Sequence, residues 1–250
     1  MSDGNVTRGA VETVAQATLG RRLVAEGLGT ALLVAAVVGS GIAAQNLSPD
    51  DTGLALLENA IATGGALYVL ILVLGPVSGA HFNPVVTAVD AWFGGLVRRD
   101  AAPYMLVQVL GACLGAILAN LMFGLSAVSV STHVRGGPGI LLSEVVATFG
   151  LLLVILGLVR RGRSEYVAGA VAAYIVGAYW FTASTSFANP AVTIGRTLSN
   201  TFAGIAPSSV PGFVVAQCIG GLIALRVAVV LWPIPSREHA LALDVQDETR

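Results

Sequence analysis

Two phrases of five residues, Asn83-Pro84-Val85-Val86-Thr87 and Asn189-Pro190-Ala191-Val192-Thr193, agree at four of five places. Asn is a strong N-cap and Pro suits the first helical position, so a helix is expected to begin at each phrase. If the side-chain oxygen of Asn83 or Asn189 caps its own helix, the amide NH2 is left facing outward with two donors. Each phrase opens a helical-looking stretch of only about eleven residues, which reaches roughly halfway across a hydrocarbon core of about 30 Å. Such a stretch dips into a membrane and returns. Two of them meeting N-terminus to N-terminus would set about four donors and two positive helix ends at the bilayer midplane. A site of that kind offers donors, repels cations and suits the passage of neutral solutes that accept hydrogen bonds.

Glu26 and Glu144 each sit a few residues into an apolar run, where an unpartnered charge costs at least about 2.5 kcal/mol. The loops that lead into the two short helices carry backbone N–H groups that no helix or strand satisfies, and these are the expected partners. Both acids are therefore assigned to bracing those loops. A proton relay or ion site is the competing reading, but the acids come as repeat equivalents and no intramembrane Lys or His accompanies them. His81 is read as a loop-packing residue beside the pore, with pH gating as the alternative. Cys113 and Cys218 lie inside apolar runs and are read as small buried hydrophobes. No metal-ligand cluster, zinc-protease pattern or nucleophile–base pair is found, so neither an enzyme nor a cofactor is expected.

The elements that must hold these residues are membrane helices. The 250 residues are 55% hydrophobic and 11% charged, with mean hydropathy +0.82, well beyond a soluble core. A net charge of −1 and the lack of a basic run exclude nucleic acid as a partner. Apolar runs predict spans over residues 23–44, 55–75, 103–123, 140–159, 166–183 and 210–232. The first is long for a signal peptide and contains Glu26, so it is read as a retained span. The fold class expected is all-α: six transmembrane helices plus two re-entrant half-helices.

The halves are repeats, residues 21–123 and 140–232 of a single domain, with tails at 1–20 and 233–250. Ala25-Glu26 with Thr30 matches Ser143-Glu144 with Thr148, and Gln108-x-x-Gly111 matches Gln217-x-x-Gly220. Three spans per half, an odd number, make the second copy an inverted one. All thirteen cationic residues are Arg. Arg8, Arg21, Arg22, Arg98, Arg99, Arg160, Arg161, Arg163, Arg237 and Arg250 fall on one side of this topology, Arg135 and Arg196 on the other. The positive-inside rule then predicts a plasma-membrane protein with both termini cytoplasmic. Arg226 lies within the sixth run, near enough to its end to snorkel.

The segment Ser78-Gly79-Ala80-His81-Phe82-Asn83-Pro84, together with the repeat, resembles the major intrinsic protein family, the aquaporins and aquaglyceroporins. The resemblance covers Arg21 to Trp232. It implies an aquaporin-like fold, a pore in each subunit and a homotetramer in the lipid bilayer. It also identifies a departure: most members carry an Arg after the second Asn-Pro-Ala, and here the residue is Val192. Ungapped counting from the two asparagines gives Thr63, Gly177 and Ala188 as the other constriction positions, and Arg196 is not assigned as a replacement.

A constriction of Thr63, Gly177, Ala188 and Val192 would be small, nearly apolar and uncharged. The expected activity is thus passive diffusion of small neutral solutes: glycerol, urea, water and uncharged metalloid hydroxides such as arsenous acid. A strict water channel and an ion-coupled secondary transporter are the alternatives. Loss of the Arg also predicts some proton or cation leak. Val85, where Ala is usual, is read as a tolerated packing change.

Overall fold

The structure is a computed structural model and describes residues 17–233. Residues 1–16 and 234–250 of the expected tails, with Arg8, Arg237 and Arg250, lie outside the described residues. Among the described residues eight α-helices follow in order: α1 Leu19–Leu47, α2 Thr52–Ser78, α3 Pro84–Phe93, α4 Arg98–Met122, α5 Pro138–Val159, α6 Val167–Phe181, α7 Pro190–Gly195 and α8 Val210–Leu231. No strand occurs among the described residues.

Five of the helices, α1, α2, α4, α5 and α8, are long and apolar enough to cross a membrane. The expected fifth span is shorter: α6 has 15 residues, about 22 Å at the helical rise. The 3₁₀ turn Ser164–Tyr166 leads directly into it and extends its reach. The second span is longer than expected because α2 continues through Pro76 to Ser78. It ends where Gly79, at φ 92°, takes the left-handed cap and donates its N–H to the Gly75 carbonyl at 2.9 Å. The second short helix is α7, which tightens after Gly195 into the 3₁₀ turn Arg196–Leu198.

α1 packs against α2 and α4, and α5 packs in the same way against α6 and α8. The halves join where α2 meets α6 and where the short helices cross over, α3 onto α8 and α7 onto α4. Between helices surrounded by lipid tails, association relies on close packing at small residues. A Cβ added at Gly111 or Gly115 would strike the carbonyl oxygens of Gly27 and Ala31 on α1, and one at Gly220 would strike that of Val145 on α5.

Contacts sort the helix ends onto two faces. On one, Arg22 pairs with Asp100 at 2.8 Å, and Arg160 lies 4.1 Å from the centre of the Phe93 ring and donates to the Trp232 carbonyl. On the opposite face, Asn120 donates to Leu198 O at 3.0 Å, and Phe202 N donates to Gln45 Oε1 at 3.2 Å. The 124–137 loop folds back there, with Ser129 and Ser131 donating backbone N–H groups to Leu198 and Thr197 at 3.0 and 2.8 Å. Arg21, Arg22, Arg98, Arg99, Arg160, Arg161 and Arg163 gather at the first face, and Arg135 and Arg196 at the second.

Replacing Gly115 with Leu should lower stability by about 1–3 kcal/mol, because the contacted atoms are backbone and cannot move aside. Thermal unfolding in detergent checks this. Gly139→Ala, where nothing lies within 4 Å, should change stability by less than about 0.5 kcal/mol.

Candidate functional site

α3 and α7 begin in the same local way. Asn83 caps α3, its Oδ1 accepting from Val85 N at 2.9 Å, and Pro84 occupies the first helical position. Asn189 caps α7, with Oδ1 accepting from Ala191 N at 2.9 Å and Val192 N at 3.3 Å. The two amides then cross between the halves: Asn83 Nδ2 donates to Ala188 O and Asn189 Nδ2 donates to Phe82 O, both at 2.7 Å. The expectation of four outward donors is corrected by this crossing. Each amide commits one N–H to the other half, leaving about two at the centre rather than four.

The loops entering the helices hold residues in left-handed backbone conformations at matching places. Ala80 and Phe82, at φ 49° each, correspond to Ser186 at 52° and Ala188 at 49°. Such a conformation costs roughly 1–2 kcal/mol per non-Gly residue. It turns successive N–H groups inward, where the carboxylates meet them. Glu26 accepts from His81 N at 3.0 Å, Phe82 N at 2.8 Å, Ser78 Oγ at 2.7 Å and Gln108 Nε2 at 2.8 Å. Glu144 accepts from Phe187 N and Ala188 N at 2.9 Å and from Gln217 Nε2 at 2.6 Å. Each Gln also reaches its half-helix, Gln108 to Thr87 and Gln217 to Thr193, at 2.9 Å. Both acids are fully buried.

A cavity of about 580 Å³ runs from Glu165 in the α5–α6 turn, past Asn83 and Asn189, to Thr63 and Arg196. Apolar side chains of α1, α2, α5 and α6 form most of its wall, and the polar groups come from the two entering loops and short helices, from the α5–α6 turn and from Thr63 and Tyr179. Of the four counted constriction positions, Thr63 and Val192 line this cavity. Gly177 does not: it is exposed on the outside of α6. The inward face of α6 follows Val167, Val171, Ile175 and Tyr179 at fourfold spacing, and Gly177 falls between turns of that stripe. Ala188 does not line it either: it is fully buried, engaged through both its N–H and its carbonyl.

Counting missed Tyr179, Phe187 and Ser186 and left Arg196 unassigned, and all four line the cavity. Tyr179 OH lies 3.2 Å from Thr63 Oγ1. The Arg196 guanidinium carbon sits 3.4 Å from the centre of the Phe187 ring, and its Nε donates to the Ala203 carbonyl. Toward that end the cavity wall therefore carries a charged side chain. The signal was available in the phrase Asn189 to Arg196, since residues one turn apart share a helix face.

Val85 lies against Gly221 of α8, where an added Cβ would come within 2.5 Å of Val85 Cγ1. The larger residue in the first phrase is thus matched by a missing side chain on the helix it meets.

Comparison with known proteins agrees with this geometry. Residues 13–186 match the family described as Major intrinsic protein. The chain belongs to the major intrinsic protein family. Among relatives, Aquaglyceroporin AqpS of Rhizobium meliloti (strain 1021) is 56% identical over 209 residues, spanning 84% of this chain and 89% of that one. Aquaporin AqpM of Methanothermobacter marburgensis is 31% identical over 246 residues, spanning 83% and 95%. The X-ray structure of the aquaglyceroporin from Plasmodium falciparum superposes with a TM-score of 0.66 at 22% identity, over 84% of this chain and 95% of that one, and so shares the fold. Members of the major intrinsic protein family are multi-pass membrane channels, not enzymes.

Glu144→Gln puts an NH2 among N–H donors and removes a buried charge from three hydrogen bonds. The expected loss is about 3 kcal/mol or more, read as a fall in the midpoint of thermal unfolding in detergent. An unchanged midpoint would contradict the bracing role.

Proposed function

We propose that the protein is a passive channel for small uncharged solutes, with glycerol, urea and water as passengers. The observation that carries this is the crossed pair Asn83–Ala188 and Asn189–Phe82, which fixes two amide groups at the middle of a cavity with an otherwise largely apolar wall. A polyol needs both features: donors for its oxygens on one side and an apolar surface for its carbons on the other. AqpS, the relative at 56% identity, is named as an aquaglyceroporin. Uncharged metalloid hydroxides such as arsenous acid, small and rich in hydroxyl groups, fit the same description. A strict water channel is the second reading, favoured by the aromatic rings of Tyr179 and Phe187 beside Arg196.

The pore role of Asn83, Pro84, Val85, Asn189, Pro190 and Ala191, and the filter role of Thr63 and Val192, belong to this proposal, with Glu26 and Glu144 as braces and His81 beside the pore. So do one channel domain made of repeats at 21–123 and 140–232, and a homotetramer in the plasma membrane. The arginine-rich face is assigned to the cytoplasm by the positive-inside rule, which puts both termini there.

Stopped-flow light scattering on vesicles containing the purified protein should show water, glycerol, urea and arsenous acid fluxes above protein-free vesicles. Val192→Arg places a second cation about one turn from Arg196 and should cut glycerol and urea flux by on the order of tenfold, with less effect on water. Equal solute rates in both proteins would sink the neutral-solute reading of this constriction, and water flux alone would favour the second reading. For the orientation, a protease supplied only outside intact cells should leave both termini uncut, and cross-linking should stop at four copies.

A further inference from the structure

The seventh residue after Asn83 is Asp90, and the seventh after Asn189 is Arg196. The repeat therefore puts opposite charges at equivalent places on the two half-helices. Because α3 and α7 run apart from their shared midpoint, Asp90 and Arg196 lie toward opposite ends of the cavity, and both line it. Their neighbours correspond as well. The residue two before Asn83 is His81, whose Nε2 is 3.4 Å from Asp90 Oδ2. Two before Asn189 is Phe187, whose ring carries the Arg196 guanidinium at 3.4 Å.

We propose that Asp90 and Arg196 form a bipolar charge filter, which rejects cations at one end of the pore and anions at the other and so restricts it to neutral solutes. Charge rings of one sign make a pore selective for the opposite ion. Two opposite signs in series leave no ion a favourable path. Arg196 is 2% exposed, and among the described residues its terminal nitrogens donate to no protein acceptor and no carboxylate pairs with it. Arg135 adds positive charge 5.3 Å from the same Phe187 ring, while Glu144 nearby has its oxygens engaged by N–H donors. At the other end Glu165 lines the cavity with Asp90, and the arginines of that face do not line it. A cation passing within about 5 Å of a fixed positive charge, at an effective dielectric near 20, is disfavoured on the order of a hundredfold. The charge missing at Val192 is in this way supplied one turn further on.

The proposal rests on the channel reading, and the experiment separates the two. Vesicles containing the full chain are assayed for urea flux and, with ion-sensitive dyes, for potassium and chloride flux, using Arg196→Gln, Arg196→Lys, Asp90→Asn and Asp90→Glu. Arg196→Gln should raise the potassium-to-urea ratio at least about tenfold and Asp90→Asn the chloride-to-urea ratio several-fold, with Lys and Glu holding near the wild-type ratios. Unchanged ratios in Arg196→Gln and Asp90→Asn overturn the filter, as does an equal leak through Arg196→Gln and Arg196→Lys, which would assign Arg196 to its link with Ala203 instead. Should Arg196→Gln fail to insert, Asp90→Asn, on a partly exposed side chain, decides alone by its chloride ratio. Wild-type urea flux no greater than that of empty vesicles would sink the channel reading itself.

Discussion

A chain that turns back inside an apolar interior must satisfy every backbone N–H at the turn, and this requirement shapes the rest of the fold. A buried donor left unmet costs about 1–3 kcal/mol. Glu26 and Glu144 meet it with charged acceptors, each taking two successive backbone N–H groups. The acceptors work only if the loop amides point inward, which explains the left-handed residues at Ala80, Phe82, Ser186 and Ala188. Charge-assisted hydrogen bonds offset that backbone strain, and the strain in turn fixes where the carbonyls of Phe82 and Ala188 point. Those carbonyls receive the two Asn amides. The acids thus act on the central site through one intervening peptide, without touching a solute.

Much of this was legible in the sequence because it is written twice. The helix starts at Pro84 and Pro190 and the long helices follow from local rules that operate identically in each half, whereas the hydrogen bonds from Gln108 to Glu26 and from Gln217 to Glu144 join residues far apart in the chain and were not anticipated. The crossing of the two Asn amides was not legible, since it depends on the distance between halves and no residue type announces it. The constriction failed for a different reason. Counting from Asn189 assumed a constant register through the loop to α6, but the stripe at Val171, Ile175 and Tyr179 turns Gly177 to the outside. A helix face can be read from spacing within α6 itself; its rotation relative to a distant motif cannot.

The two halves are equivalent at the centre of the cavity and different toward its ends. At the centre the matched set is complete: cap, Pro, crossing amide, acid and Gln. Away from it the sequences part, and each change is matched locally. Val85 is accommodated by Gly221 on the helix it faces, which conserves volume at the contact, the kind of exchange that costs least. His81 accompanies Asp90 and Phe187 accompanies Arg196, so each charge has a neighbour suited to it, an imidazole for the carboxylate and an aromatic face for the guanidinium.

The position of Arg196 follows from the same geometry. A cation on the first turn of α7 would lie close to the positive helix end and to the Asn189 amide, whereas one near the last turn sits by the carbonyl end, where the helix dipole favours it. Moving the charge from residue 192 to residue 196 keeps it on the same side of the short helix, about 6 Å further along at the helical rise. There it can rest on Phe187 and bind the Ala203 carbonyl. Val192 then leaves the neighbourhood of Asn189 free of a bulky ion. In the proposed filter, charge and width, which one Arg beside the second phrase would have set together, are divided between two residues that can change independently.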